Sequence, residues 1–177
     1  SGIVLLAATP NDSSRLVASE SERLAEILTL AAEQAINDNR QLGLMLDDKG
    51  YRFVSFDDKT RQWLAVPDSM FAPYELPSNI SIHVLKDDNS KLLALNPQDK
   101  TSDKQVLTPQ VLFLSSGETS AVELEISAQD GGDPSKAVEI RDHVGNRIIL
   151  SKEGIQFLTN NEAHVNEGNR SMEVDGD

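Results

Sequence analysis

The spacing of hydrophobic positions changes once along this chain. From about Asn11 to Arg40, Val17, Leu24, Ile27, Leu28, Ala31 and Ala35 recur at steps of three and four and form one stripe. Glu22, Glu26, Thr29, Glu33, Gln34 and Asn37 fall on the other side. The spacing predicts a helix over 12–40. Asp12, Ser13 or Ser14 can cap its start, and Asn37-Asp38-Asn39 is a stop signal. Ser19-Glu20-Ser21-Glu22 also reads as a capping box, so a second start near Ser19 is open. Glu20 lies on the apolar stripe, where a lone carboxylate is costly to bury. The expectation is that the stripe meets water at that height, on a part of the helix standing clear of its domain.

After Arg40 the period becomes two, and turn signals come every six to twelve residues. Leu42–Leu46 is a strand, Asp47–Gly50 a turn, and Tyr51–Phe56 the returning strand, with Tyr51 and Phe53 on one interior face. A second turn at Asp57–Thr60 leads to a strand at Gln62–Val66. Pro67, Pro73 and Pro77 make the next stretch a loop. Further strands are expected at Ile80–Leu85, Lys91–Leu95, Val111–Leu114, Ala121–Ser127, Ala137–Arg141 and Arg147–Leu150, with a short one at Gly154–Leu158. Asn96–Thr108 is polar and is expected to be mobile.

One long helix followed by many short antiparallel strands defines an α+β class. Eight or nine strands exceed one flat antiparallel sheet at this size, so the helix is expected to lie on strands forming two packed sheets. The domain is placed at 11–158. Residues 1–10, which include the apolar run Ile3–Ala8, are a linker, a core strand or the last turns of a membrane-proximal helix. The run is far short of the roughly 20 residues that cross a bilayer and lacks a basic flank. Residues 159–177 are polar and are expected to be flexible. From Ser151 onward there are six acidic and two basic residues, a net −4.

Composition narrows the function classes. At 177 residues the chain is one ordinary domain with room for a core, and its mean hydropathy is −0.35. The net charge of −13 repels nucleic-acid phosphates and anionic membrane surfaces, so no nucleic-acid partner is expected. The absence of cysteine excludes disulfides, thiolate zinc and thiol catalysis.

Catalytic patterns are lacking. His83, His143 and His164 are scattered, with no H-E-x-x-H spacing. Ser115-Ser116-Gly117 is not a nucleophile elbow, because no glycine precedes it and a strand follows; it reads as a turn. Acidic pairs at Asp47-Asp48, Asp57-Asp58 and Asp87-Asp88, and the run Asp130–Asp133, could hold calcium. None has EF-hand spacing, and turn chemistry accounts for each without metal. No catalytic, cofactor or metal residue is assigned. Trp63 is expected in the core or shielding a sheet edge.

The segment Phe113-Leu114-Ser115-Ser116-Gly117-Glu118-Thr119 resembles one found in the H-type minor pseudopilins of bacterial type II secretion. Leu24–Leu28 followed by Ala31–Ile36 is similar to the helix end of that family and of related pilins. Gln41–Leu44, Tyr51–Phe53 and Arg61–Trp63 look like its first strands, and Asp142–Ile148 like its closing hairpin. Together these cover most of residues 20 to 150. The resemblance implies a pilin-like fold, no enzymatic activity and no cofactor. It implies a precursor trimmed and N-methylated by a prepilin peptidase, anchored in the bacterial inner membrane by one span, with this domain in the periplasm. It implies assembly with other minor and major pseudopilins near the tip of a short pseudopilus, driven by a cytoplasmic ATPase, and support for export of folded proteins through the secretin. The family's cleavage site and its fifth-position glutamate are not among these residues. A type IV pilus minor pilin and a soluble periplasmic calcium- or ligand-binding module remain as alternatives.

On this reading the chain works by packing. Leu16, Val17 and Glu20 are expected to belong to the filament contact, and Leu24, Ile27, Leu28, Ala31 and Ala35 to hold the helix on the sheet. Leu28→Asp should therefore unfold the domain, while Val17→Asp should leave it folded.

Overall fold

A computed structural model describes residues 12–88, 90–98, 106–128 and 145–158. The chain begins with helix α1, Asp12–Asn37, unbroken through Ser19. Ser19 and Ser21 instead bond back to the carbonyls of Leu16 and Val17. The helix ends as its sequence directs. Asn39 takes a left-handed conformation (φ 49°), the Arg40 N–H bonds to the Ala35 carbonyl, and the Asn39 N–H bonds to that of Ile36. That is a Schellman ending with asparagine in the position glycine usually holds.

Nine strands follow among the described residues, in two antiparallel sheets. The first contains β1 (Leu42–Leu46), β2 (Gly50–Asp57), β3 (Gln62–Ala65), β4 (Tyr74–Glu75) and β6 (Val111–Phe113). Its order is β3-β2-β1-β6, with the two-residue β4 added to the start of β2. The second contains β5 (Ile80–Asp88), β7 (Ala121–Ala128), β8 (Gly145–Ser151) and β9 (Gly154–Leu158), in the order β5-β7-β8-β9. The helix lies on β7, β8 and β9 of the second sheet and on β1 and β6 of the first. One core joins all three layers: Leu24, Leu28, Ala31 and Ala35 of α1, Leu42, Leu44, Tyr51 and Phe53 of the first sheet, and Val122, Leu124, Ile126, Ile148 and Leu150 of the second.

Turns account for the pairs at Asp47 and Asp57, whereas Asp87-Asp88 stands at the end of strand β5. Asp47 Oδ1 accepts the N–H groups of Lys49 and Gly50, and Asp57 Oδ1 accepts that of Lys59. The Asp57 carboxyl is accordingly held below its ordinary range, first by that backbone bond. Among the described residues no cluster of three or more metal-ligating side chains occurs. Asp130–Asp133 lie outside the described residues.

Two segments depart from the sequence expectation. Lys91–Leu95 is not a strand but part of a short helix, α2, Ser90–Leu95. Lys, Leu and Ala are helix formers, the run contains no β-branched residue, and its four apolar residues are too few to show a period. Its Leu92 and Leu93, with Leu107, cover a second small core of Val54, Phe56, Trp63 and Leu112 on the outer face of the first sheet. The Pro67–Pro77 stretch is not only a loop. It holds a 3-10 turn at Ser69–Phe71 and then β4, and it buries Phe71 and Leu76. The strand expected at Ala137–Arg141 falls outside the described residues, as do the proposed segments 1–10 and 159–177.

Candidate assembly surface

The helix stripe has a different use from the one its sequence suggests. Val17 is 0% exposed and belongs to the main core, and Glu20 is 8% exposed. The expectation that the stripe meets water at this height is corrected: their own domain encloses both. Leu16 is half-buried and packs on the same core. Leu24, Leu28, Ala31 and Ala35 are fully buried, and Ile27 is half-buried against them.

The reason lies in β4. A row of rings runs Phe71–Phe53–Tyr51–Tyr74, with centroids 4.9, 6.4 and 5.2 Å apart in turn. Tyr74 closes the row over the helix. Its hydroxyl donates to Glu20 Oε1 at 2.9 Å, and the Arg23 guanidinium stands 4.6 Å from its ring centroid. β4 can come this close because residue 50 is glycine; a Cβ there would collide with the Tyr74 carbonyl oxygen. Glu20 Oε2 is buried without a hydrogen-bond partner. Burial, followed by the hydrogen bond to the Glu20 carboxylate, raises the Tyr74 phenol above its ordinary pKa. Burial, followed by the charges of Tyr74 and Glu20, pushes the Tyr51 phenol well above its own. The signal that could have revealed this cover is the spacing Phe71, Tyr74, Leu76: large apolar residues persisting inside a proline-marked loop.

With the apolar stripe engaged, α1 turns a polar face outward. Asp12, Arg15, Ser19, Glu22, Glu26, Thr29 and Glu33 are all exposed, at alternating steps of three and four. They form a single seam along the helix, ending at Ile36, which is 53% exposed. No helix of the described residues is long and apolar enough to cross a membrane.

The segment after β6 forms a locked corner at the helix C-terminus. Phe113 and Leu114 are buried. The chain then reverses, with Gly117 N–H bonded to the Leu114 carbonyl and Leu114 N–H to that of Glu118. Gly117 has φ 92°, which L side chains resist. Gln41 clamps the corner from the helix exit. Its Oε1 accepts the Ser115 N–H at 2.8 Å and its Nε2 donates to Ser115 Oγ at 3.1 Å. Ser115 is thus a turn residue held by an amide, with no base bonded to it among the described residues. His83 is exposed and bonded to Ser81 Oγ; His143 and His164 lie outside the described residues.

An open hollow of about 450 Å³ lies beyond the helix end, lined by Arg40, Ser55, Asp57, Lys59 and Leu64 among others. Arg40 is tied there to Asp68 at 2.9 Å and to Asp38 at 3.4 Å. Among the described residues that line the hollow, no nucleophile–base hydrogen bond occurs.

One helix laid on two antiparallel sheets is a fold this chain shares with known proteins. Two solved structures of the minor pseudopilin EpsH from the Vibrio cholerae type 2 secretion system share it. They superpose with TM-scores of 0.56 and 0.58 at 18% and 17% identity, over 81% and 82% of this chain and 96% and 95% of theirs. The family model for the type II transport protein GspH matches residues 20–154, from the enclosed carboxylate to the last strand. The chain belongs to this family. It is similar to type II secretion system protein H of Pseudomonas aeruginosa, with 31% identity over 126 residues, 71% of this chain and 72% of that protein. It is also similar to type II secretion system protein H of Aeromonas hydrophila, with 27% identity over 113 residues, 63% of this chain and 62% of that one.

Proposed function

We propose that this protein is a minor pseudopilin of a type II secretion system, a structural subunit placed near the tip of the periplasmic pseudopilus. In this role it supports export of folded proteins across the outer membrane. The observation that carries the reading is the family match over 20–154, which runs from within α1 through strands β1–β8. In the full-length protein an apolar segment ahead of α1 would anchor the subunit in the inner membrane, with the two-sheet body in the periplasm. The partners are other minor and major pseudopilins, with the secretin and exoprotein cargo as further contacts.

The geometry alters how such a subunit would assemble. From Val17 onward the apolar side of α1 is engaged by its own sheets. Sister subunits would meet the polar seam from Asp12 to Glu33, with Leu16 at its flank as the remaining apolar contribution. Fully burying one leucine contributes roughly 1.5–3 kcal/mol, so Leu16, already half-buried, adds less than that.

The test is complementation. In a secreting bacterium lacking its H-type subunit, the full-length protein should restore exoprotein in the medium and should crosslink to other pseudopilins. Restored surface piliation with no exoprotein export would point instead to a type IV pilus.

A further inference from the structure

The second sheet ends on one side in β5, whose outer edge has no partner among the described residues. β5 is nine residues long, and β7 is its only strand neighbour among the described residues. An open strand edge displays a row of N–H and C=O groups that can pair with another chain, and proteins usually blunt such edges with bulges and charges. β5 is blunted over half its length only. Its pairing with β7 shifts register between Val84 and Lys86, leaving Leu85 out of the ladder, and Lys86-Asp87-Asp88 follow. Ahead of the bulge, Ile80-Ser81-Ile82-His83-Val84 alternates strictly and pairs in unbroken register.

Ile80 and Ile82 pack into the core, but the apolar residues at the bulge are poorly covered. The helix lies over β7, β8 and β9. Val84 is 37% exposed and Leu85 42%. The charge around them is one-sided. Lys86 Nζ is drawn to Glu123 at 3.6 Å, on the neighbouring strand. Asp87 and Asp88 are exposed and make no ion pair with any described residue.

We infer that the Ser81–Val84 edge of β5 is a docking site for an extended segment of a different protein chain, apolar at alternate positions and basic where it passes Asp87 and Asp88. Backbone pairing along Ser81–Val84, beyond the Ile80 N–H that the Pro77 carbonyl already holds, provides the attachment, as in strand-addition complexes. Val84 and Leu85 select apolar side chains, and the two carboxylates select a cation. A second copy of this chain is the wrong occupant: each copy carries −13, so their approach is repulsive. This site lies away from the helix seam and does not depend on the filament reading.

The probe is a synthetic peptide of alternating valine and threonine ending in two lysines, with two counterparts. One ends in two glutamates; the other is N-methylated at alternate amides, on whichever register faces the strand. Binding to the full chain is measured by calorimetry, and backbone protection by hydrogen exchange. The lysine peptide should bind, slow exchange at Ser81–Val84, and bind about fivefold or more tightly than the glutamate peptide at low salt. N-methylation should abolish binding. The double variant Asp87→Lys, Asp88→Lys should reverse the charge preference without altering the melting temperature. Four results would overturn the inference. These are no binding, binding indifferent to N-methylation, β5 edge amides already protected in the free monomer, and a dimer of the chain whose β5 amides are the protected ones.

Discussion

Tyr74 and Glu20 are 54 residues apart in sequence and 2.9 Å apart in space, joined by the phenol's hydrogen bond to a carboxylate with no other hydrogen-bond partner among the described residues. This contact converts a helix that would stand free at that height into one enclosed by its own domain. It also makes a buried carboxylate depend on a single donor. Tyr74→Phe should therefore cost about 1–3 kcal/mol, the penalty for leaving a buried polar group unsatisfied. Glu20→Gln removes the charge while keeping an acceptor and should cost less. Urea unfolding of the two variants orders them. A Tyr74→Phe variant as stable as the parent would show that the Glu20 carboxylate is hydrated.

The chain contains two tyrosines, and both belong to this cluster. Tyrosinate absorbance therefore reports on it alone. Both phenols have pKa values raised from the ordinary 10.0, by burial first. A group whose folded pKa is raised contributes stability that is fully present below its unfolded pKa and is lost as pH rises toward the folded one. Stability should thus be insensitive to these groups below about pH 9 and fall beyond about pH 10. In an alkaline titration followed by absorbance, the two phenols should ionise late, and Tyr51 should ionise together with unfolding. Ordinary titration of both near pH 10, with the fold intact, would contradict the enclosure.

The helix core makes a sharper prediction, one opposite to that from sequence alone. Val17 is as fully buried as Leu28. Val17→Asp and Leu28→Asp should each destabilise by more than about 3 kcal/mol, because each puts an unpaired charge into an apolar core. Circular-dichroism melting of both variants decides between this and a free Val17.

Much of the architecture was legible because it rests on period. The helix from Asp12, its asparagine stop, and the strands at Leu42, Tyr51, Gln62, Ile80, Val111, Ala121, Arg147 and Gly154 follow from spacing and turn residues. Helix type at Lys91–Leu95 was not legible, since an apolar run of that length fits either state. The covering of Val17 and Glu20 was not legible either. It depends on a contact between a proline-marked loop and a helix far earlier in the chain, and no local pattern near Glu20 encodes Tyr74. Glu20 on the stripe did mark an exceptional position. The error lay in resolving the conflict with water rather than with a donor.

Gly50 links the first sheet to that contact. A side chain there meets the Tyr74 carbonyl oxygen, which is backbone and cannot swing aside. Gly50→Ala should push β4 from the edge of β2 at a cost of about 1–3 kcal/mol. It should also release the Tyr74 hydroxyl from Glu20. The discriminating measurement is the tyrosinate titration: the Tyr74 transition should move down toward its ordinary range in this variant. Loss of stability with that transition unmoved would mean that the strand shifts while the phenol stays in place.

The corner after β6 should behave as a separate, local unit. Gln41 supplies two hydrogen bonds to Ser115, one of them to its backbone N–H. Gln41→Ala removes both and should destabilise by about 1–2 kcal/mol, at roughly 1 kcal/mol per bond with part of the loss recovered by water. Gly117→Ala should cost about 1 kcal/mol or more, because its φ of 92° is open to glycine and strained for any L side chain. The two residues act on the same reversal, so the double variant should lose less than the sum. Glu20 and Tyr74 share no partner with this corner, and combining Gln41→Ala with Tyr74→Phe should give additive losses. Denaturant midpoints for the three single and two double variants test both statements. Additivity within the corner, or strong coupling between the corner and Tyr74, would reverse this division of the fold into two independent clamps on one helix.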